Sequence, residues 1–190
     1  MGGKKMNSKD TPSEEKETLF TGPLLPVLYL RLVEALSVEH QGNPTAIERA
    51  LHSLGKTMTT PLLIELVRRY GHPHDAYFPS KPELFLNLVD DFLAKNWELA
   101  TGSAPEKIEF TDDLTLVLRT SSCPICSHDV FEASLELRYC ELLSGMLEGL
   151  LETWIDNLQL AYAVRVTQTR GRLQGDPVCE FQLRFIPSTP

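Results

Sequence analysis

The spacing of apolar residues changes once along this chain. Up to Gly102 they recur every three or four positions, which is typical of helices packed on a core. Beyond Gly102, apolar and polar residues alternate from Ile108 to Leu118 on either side of Asp112-Asp113, which predicts a β-hairpin. The whole pattern predicts three helices, a hairpin, one long helix and two closing strands.

The first helix is predicted to run from about Pro26 to about Glu39, and it is apolar over most of its circumference. Such a helix is either covered by other helices of its own chain or presented to a partner. The sequence leaves both alternatives open. The positions that we assign to a dimer surface are Leu28, Leu32, Val33 and Leu36 on this helix and Leu51 on the next.

Two further helices are predicted before Gly102. The second begins at Asn43-Pro44, because asparagine is a good N-cap and proline is favourable at the first helical position. At Pro61 this helix either kinks or gives way to a new segment. The third, PELFLNLVDDFLAKNW at 82–97, places its apolar side chains on one face.

The most apolar segment is a long helix predicted from Leu135 to Asn157. Its Gly145 and Gly149 are four residues apart, and each glycine costs about 1 kcal/mol relative to alanine. Two of them therefore indicate either a close approach of a neighbouring element or room for an acyl-like ligand. The helix also carries a polar stripe of Glu141, Ser144, Glu148, Glu152 and Asp156. We interpret its acidic residues Glu141, Glu148 and Glu152 as the water-exposed edge of the helix.

Two closing strands are predicted, Leu160 to Gln168 and Val178 to Ile186, joined by a polar loop. The fold class is α+β, with helices packed on one face of a small four-stranded antiparallel sheet in the order ααα-ββ-α-ββ. Residues 1–18 are polar and are predicted to be a disordered tail, and 19–190 form one domain.

Composition narrows the function classes. The 190 residues carry a net charge of −8, which would be repelled by nucleic-acid phosphates. The sequence shows neither an apolar run of about 20 residues nor a secretory signal, so a cytoplasmic location is expected. No side chain stands in a recognisable nucleophile setting, and there is no glycine-rich phosphate loop. We therefore assign no catalytic residue and predict that the chain is not an enzyme.

The four cysteines are the remaining candidate chemistry. Cys123 and Cys126 have the spacing of metal ligands, and Cys140 and Cys179 could complete a four-sulfur zinc site if the helix and last strand converge. The alternative is that each thiol packs as a small apolar group. No resident cofactor is predicted, and zinc on these thiols and a bound acyl chain are the two exceptions kept open.

Three segments resemble the small subunits of the TRAPP vesicle-tethering complex. They are LLSGMLEGLLE at 142–152, LRFI at 183–186 and LLIELVRR at 62–69. The CPIC motif, Cys140 and GDPVCEF at 175–181 resemble instead the 4-vinyl reductase, or hydrocarbon-binding, domains of the same superfamily. That branch implies a sensor of a small ligand or metal.

The TRAPP resemblance implies a non-enzymatic module for vesicle-mediated transport. Such a module would form a homo- or heterodimer with related subunits through its N-terminal helices and would associate peripherally with membranes. It would also hold an apolar small molecule in a channel beside the central helix. The expected lining is Met58, Leu62, Leu66, Gly145, Met146, Gly149, Leu150 and Trp154.

The chain departs from both branches at one position each. Some TRAPP subunits carry an acylated cysteine after the LLIELV-like helix, where this chain has Ala76, so covalent acylation is not expected there. Many 4-vinyl reductase domains place a further cysteine just before the Gly175-Asp176 loop, and this chain has none.

Overall fold

A computed structural model describes residues 24–70, 85–126 and 136–188 of the chain. The predicted tail at 1–18 lies outside these ranges. The elements are α1 (Leu24–Glu39), α2 (Pro44–Tyr70), α3 (Phe85–Thr101), β1 (Lys107–Asp112), β2 (Thr115–Thr120), α4 (Glu141–Asn157), β3 (Tyr162–Arg170) and β4 (Cys179–Pro187). The prediction of an α+β fold in the order ααα-ββ-α-ββ is confirmed.

The four strands form one antiparallel sheet in the order β1-β2-β4-β3. The last strand therefore lies between the two strands that precede and follow α4 in the sequence. Leu183 stands opposite Leu116 on one side and Val166 on the other, and all three are buried. Such alternation places one row of side chains against the helices and leaves the other face to solvent.

Aromatic side chains join α3, α4 and the sheet. The ring of Trp154 on α4 lies 4.7 Å from that of Phe85 and 4.0 Å from that of Phe92, measured between centroids. Phe85 also meets Phe185 of β4 edge-on at 5.4 Å. These rings belong to one continuous hydrophobic core, and aromatic pairs of this geometry stabilise it beyond the area that they bury.

The structure tests the predicted course of the second helix and the predicted start of the long helix. The helix α2 passes Pro61 without interruption, so the segment after that proline is not a separate helix. The N-cap prediction holds, since Asn43 Oδ1 accepts the Ala46 N–H at 3.2 Å. The helix α4 begins at Glu141, six residues later than predicted, because its N-cap residue Cys140 makes no side-chain capping bond that the sequence could signal.

In the described part of the chain, no helix has both the length and the apolar character that crossing a bilayer requires.

Candidate functional site

Four cysteine thiols converge at one end of α4. Cys123 and Cys126 lie in the turn after β2, Cys140 is the N-cap residue of α4, and Cys179 is the first residue of β4. All four are buried, and their sulfur atoms lie within 4.8 Å of one another. The long helix and the last strand thus meet beneath the CPIC turn, as a joint metal site would require.

The sulfur separations exclude disulfides and fit a single ion. Cys140 Sγ lies 3.4 Å from Cys123 Sγ, 3.0 Å from Cys126 Sγ and 3.9 Å from Cys179 Sγ. A disulfide bond is about 2.05 Å long, so these are free thiols. Zinc–sulfur bonds of about 2.3 Å place the four sulfurs of a regular tetrahedron about 3.8 Å apart. The cluster has nearly that size.

Burial and mutual hydrogen bonds shift the pKa values of the Cys123, Cys140 and Cys179 thiols. Burial, followed by a hydrogen bond with Cys126, raises the pKa of Cys123 well above its usual range. Hydrogen bonds with the other three thiols raise the pKa of Cys140. Hydrogen bonds with Cys123, Cys126 and Cys140 hold the pKa of Cys179 far below its usual range. One thiolate at Cys179 is therefore stabilised by its neighbours, and a bound cation would stabilise more than one.

Polar contacts from the β3–β4 connection hold the cluster in place. The backbone N–H of Arg172 donates to the Cys179 sulfur, and its guanidinium donates to the Ser121 carbonyl oxygen at 2.7 Å. Gln168 of β3 accepts the Cys140 N–H at 2.9 Å. The backbone segments that carry the thiols are thus tied to one another apart from any metal.

A second candidate site is the contact between α2 and α4, which is close enough for backbones to touch. A methyl group on Gly145 would lie 2.0 Å from the His52 carbonyl oxygen, and one on Gly55 would lie 2.1 Å from the Leu142 carbonyl oxygen. Gly149 meets the Thr59 side chain in the same way. Of the two interpretations of the glycine pair, the described structure has the close approach of a neighbouring helix.

The other predicted channel positions lie in or beside the core. Met146, Leu150 and Trp154 are buried, and Met58 is partly buried against them. Leu62 and Leu66 lie on α2, with side chains outside the described part of the structure. Gly55 was not assigned from the sequence. It lies one helical turn after His52 and just before Lys56, and these three residues share the face of α2 that contacts α4.

The acidic residues Glu141, Glu148 and Glu152 of α4 do not form the water-exposed edge that we predicted, and that prediction is wrong for the first two of them. Glu141, Ser144 and Glu148 are buried, whereas Asp156 is exposed. The reason is that α2 covers this edge and brings basic side chains to it, ninety residues away in the sequence. Charge on a helix face is compatible with burial when opposite charges meet it there.

Glu148 is the centre of this buried ion network. Its carboxylate accepts hydrogen bonds from Lys56 Nζ at 3.1 Å and from the Val166 N–H at 2.9 Å. His52 Nε2 lies 3.3 Å from the same group, and His52 Nδ1 lies 3.0 Å from Glu141. The network therefore joins α2, α4 and the edge strand β3 at one point.

The network shifts the pKa values of its members. Hydrogen bonds to Glu141 and then to Glu148 raise the pKa of His52 to about 9, against the effect of burial. Burial alone would raise the pKa of Glu148, but hydrogen bonds from His52, the Val166 N–H and Lys56 lower it to about 2. Both shifts favour the charged forms, so the pair is ionised at neutral pH.

We expect the free energy of unfolding to depend on pH through this pair. The contribution of His52 is complete below its unfolded pKa of 6.5 and is lost as the pH rises through about 9. The contribution of Glu148 is present above 4.5 and is lost as the pH falls towards about 2. Urea unfolding from pH 3 to 10 measures both limbs. In His52→Gln the alkaline limb should flatten, and an unchanged limb would contradict the assignment.

The residues assigned to a dimer surface do not share one exposed face. Val33 and Leu51 are buried in the core of their own chain, so they are not available to a partner in this conformation. Leu32 and Leu36 are partly buried, and Leu28 is 65% exposed. Val27, next to it in the sequence, and Val38, near the other end of α1, are also exposed, and neither was assigned from the sequence.

Comparison with known proteins places the fold. No protein-family model and no curated protein matches the chain. Among solved structures, trafficking protein particle complex subunit 3 from Naegleria fowleri, covalently bound to palmitic acid, is similar with a TM-score of 0.67 and 19% identity. The match covers 88% of this chain and 96% of that one. The chain has the fold of a small TRAPP subunit.

The TRAPP-like architecture predicted from the sequence is therefore confirmed as a fold. A more distant similarity is to an H-NOX protein from S. oneidensis in the Fe(II)NO ligation state, with a TM-score of 0.46 and 13% identity. That match covers 81% of this chain and 72% of the other.

Proposed function

We propose that this protein is a non-enzymatic interaction module that acts as a TRAPP-like subunit in a cytoplasmic assembly of vesicle-mediated transport. It pairs with a second copy or a related subunit through its N-terminal helices, and the assembly associates peripherally with membranes. The observation that carries the proposal is the fold, which is similar to a trafficking-complex subunit over 96% of that subunit's length.

The surface of α1 supports pairing through this helix. Tyr29 and Val33 turn inward to the core, while Val27, Leu28 and Val38 are exposed on the same helix. Exposed apolar side chains that recur along one helix are typical of a surface that a partner covers. Burying a leucine side chain stabilises an association by about 1.5–3 kcal/mol.

The absence of catalysis is part of the proposal. The buried thiols contact one another, and the buried carboxylates Glu141 and Glu148 contact basic groups of α2. These arrangements hold elements together, and a binding module needs no reactive group beyond them.

Substitution of Leu28 tests the pairing. Leu28→Glu places a charge on the exposed apolar surface of α1. We expect the dimer to dissociate at least about 10-fold more readily, since both the loss of the apolar contact and the desolvation of the new charge oppose association. Sedimentation equilibrium of the full chain over a wide concentration range measures this constant.

Phe110→Glu is the matched control, because Phe110 on β1 is also a partly exposed apolar residue, at 37%, outside the helical surface. It should leave the dimer constant unchanged. A wild-type protein that stays monomeric at the highest concentration, or a Leu28→Glu variant that dimerises normally, would show that α1 is not the interface.

A second candidate function is a small-ligand or metal-dependent sensor of the 4-vinyl reductase type, which the thiol cluster favours. An apolar ligand would lie beside α4 away from Gly145, because the backbone of α2 occupies the space next to that glycine. Native mass spectrometry separates the two functions. A stoichiometric apolar ligand on a monomer supports the sensor, and a ligand-free dimer supports the interaction module.

A further inference from the structure

We propose that Cys123, Cys126, Cys140 and Cys179 bind one structural Zn²⁺ ion that ties the CPIC turn, the start of α4 and the start of β4 together. This site is separate from the proposed pairing through α1, and either proposal can fail without the other.

Convergence of all four cysteines is the first argument. The chain has four cysteines in three segments, with a separation of up to 39 residues between consecutive segments, and the fold brings every one of them to the same point. Thiols that pack only as small apolar groups have no reason to face one another. A common point of convergence is what a shared ion requires.

The size of the cluster decides the kind of metal centre. The sulfur separations around Cys140 are 3.0 to 3.9 Å, and all four sulfurs lie within 4.8 Å of one another, which is close to the separation of about 3.8 Å expected for four ligands on a single tetrahedral ion. An iron–sulfur cluster inserts several iron and sulfide atoms between the thiolates and would hold them farther apart. Four thiolates in a tetrahedron are the typical ligand set of structural zinc.

Burial makes the site closed. Cys123, Cys140 and Cys179 have no exposed surface, and Cys126 is only 6% exposed. Catalytic zinc keeps one position for water or substrate, whereas structural zinc has four protein ligands. The four thiolates here leave no such position, so the ion would hold the fold together and not bind a substrate.

The surroundings supply partial positive charge to the thiolates. Cys140 lies at the N-terminus of α4, where free N–H groups and the helix dipole favour a negative charge. The Arg172 N–H donates to the Cys179 sulfur. Such outer contacts orient ligands and stabilise thiolate–zinc centres.

Cobalt titration of the full-length protein tests the site. After the metal is removed with a chelator under reducing conditions, we expect one Co²⁺ per chain to bind, with the visible absorption of a tetrahedral four-thiolate ion. Equimolar Zn²⁺ should displace it. Elemental analysis of the protein as purified should find one zinc per chain.

Cys126→Ser and Ser144→Ala form the matched pair of variants. Loss of an outer contact typically weakens metal binding 10- to 100-fold, so loss of the Cys126 ligand should weaken Co²⁺ binding at least about 100-fold. Ser144 is equally buried and lies one turn from Cys140, but it offers no thiol, so Ser144→Ala should bind normally.

Several outcomes would overturn the proposal: no cobalt uptake by the wild type, iron in place of zinc, a disulfide among the four cysteines in the purified protein, or unchanged binding by Cys126→Ser. The wild-type stoichiometry and spectrum decide the matter even if the serine variant does not fold. Dimerisation of metal-free protein would leave the pairing proposal standing.

Discussion

Replacing Glu148 by glutamine is expected to lower the free energy of unfolding by about 3 kcal/mol. The carboxylate is buried, and its pKa of about 2 in place of 4.5 means that folding favours its ionised form by about that amount. Glutamine keeps the shape but removes the charge that faces Lys56 and His52. The melting temperature should fall by roughly 6–12 °C, measured by calorimetry at pH 6.

Glu152→Gln is the matched control for this prediction. Glu152 lies one turn further along α4 and receives a hydrogen bond from the same Lys56 Nζ at 2.7 Å, but 37% of its side chain is exposed. Exposed pairs stabilise proteins by about 0–1 kcal/mol, so this variant should lose little. Equal losses in the two variants would mean that burial of Glu148 is not what makes its ion pairs stabilising.

The second large effect concerns the helix contact. Gly145→Ala would place a methyl group 2.0 Å from the His52 carbonyl oxygen, and backbone cannot rotate away as a side chain can. The helices must separate, and because the contact is with backbone we expect a cost of about 3 kcal/mol or more, at or above the upper end of the usual range of about 1–3 kcal/mol for overpacking. This cost is only partly offset by the roughly 1 kcal/mol that alanine gains in a helix. We expect a net loss of about 2 kcal/mol or more by urea unfolding.

Gly149→Ala is the milder comparison for this position. Its added methyl group would meet Thr59 Oγ1 at 2.5 Å, and a threonine side chain can change rotamer. The loss should therefore be smaller than in Gly145→Ala. If the two variants were equally stable, or if Gly145→Ala matched the wild type, the backbone contact between α2 and α4 would not be as close as described.

Local patterns were sufficient for the elements and for their order. Alternation around Asp112-Asp113 predicted the β1–β2 hairpin, and Asn43-Pro44 predicted the start of α2. These predictions depend on residues close together in the chain, whose conformations and hydrogen bonds are set by near neighbours. The start of α4 was missed because its N-cap residue, Cys140, makes no side-chain capping hydrogen bond and is not a residue that marks a helix start in a sequence.

The same patterns did not show which faces of the helices contact one another. Helical spacing grouped Glu141, Ser144 and Glu148 on one edge, but whether water or another helix lies there depends on α2, about ninety residues earlier. His52 and Lys56 gave no signal of their own, because a basic residue on a helix is usually solvated. The prediction for Val33 and Leu51 shows the same limit, since apolar spacing does not tell a core from an interface.

By itself, the sequence determined the helical and strand spacing of apolar residues, the Asn43 N-cap, the glycine pair on α4 and the presence of four cysteines. Each of these is a property of single residues or of residues near one another in the chain. The tertiary structure decided that the glycines face a helix backbone, that the acidic edge is buried, and that the thiols share one point. Those outcomes depend on contacts between segments distant in sequence, which the packing of the whole core selects.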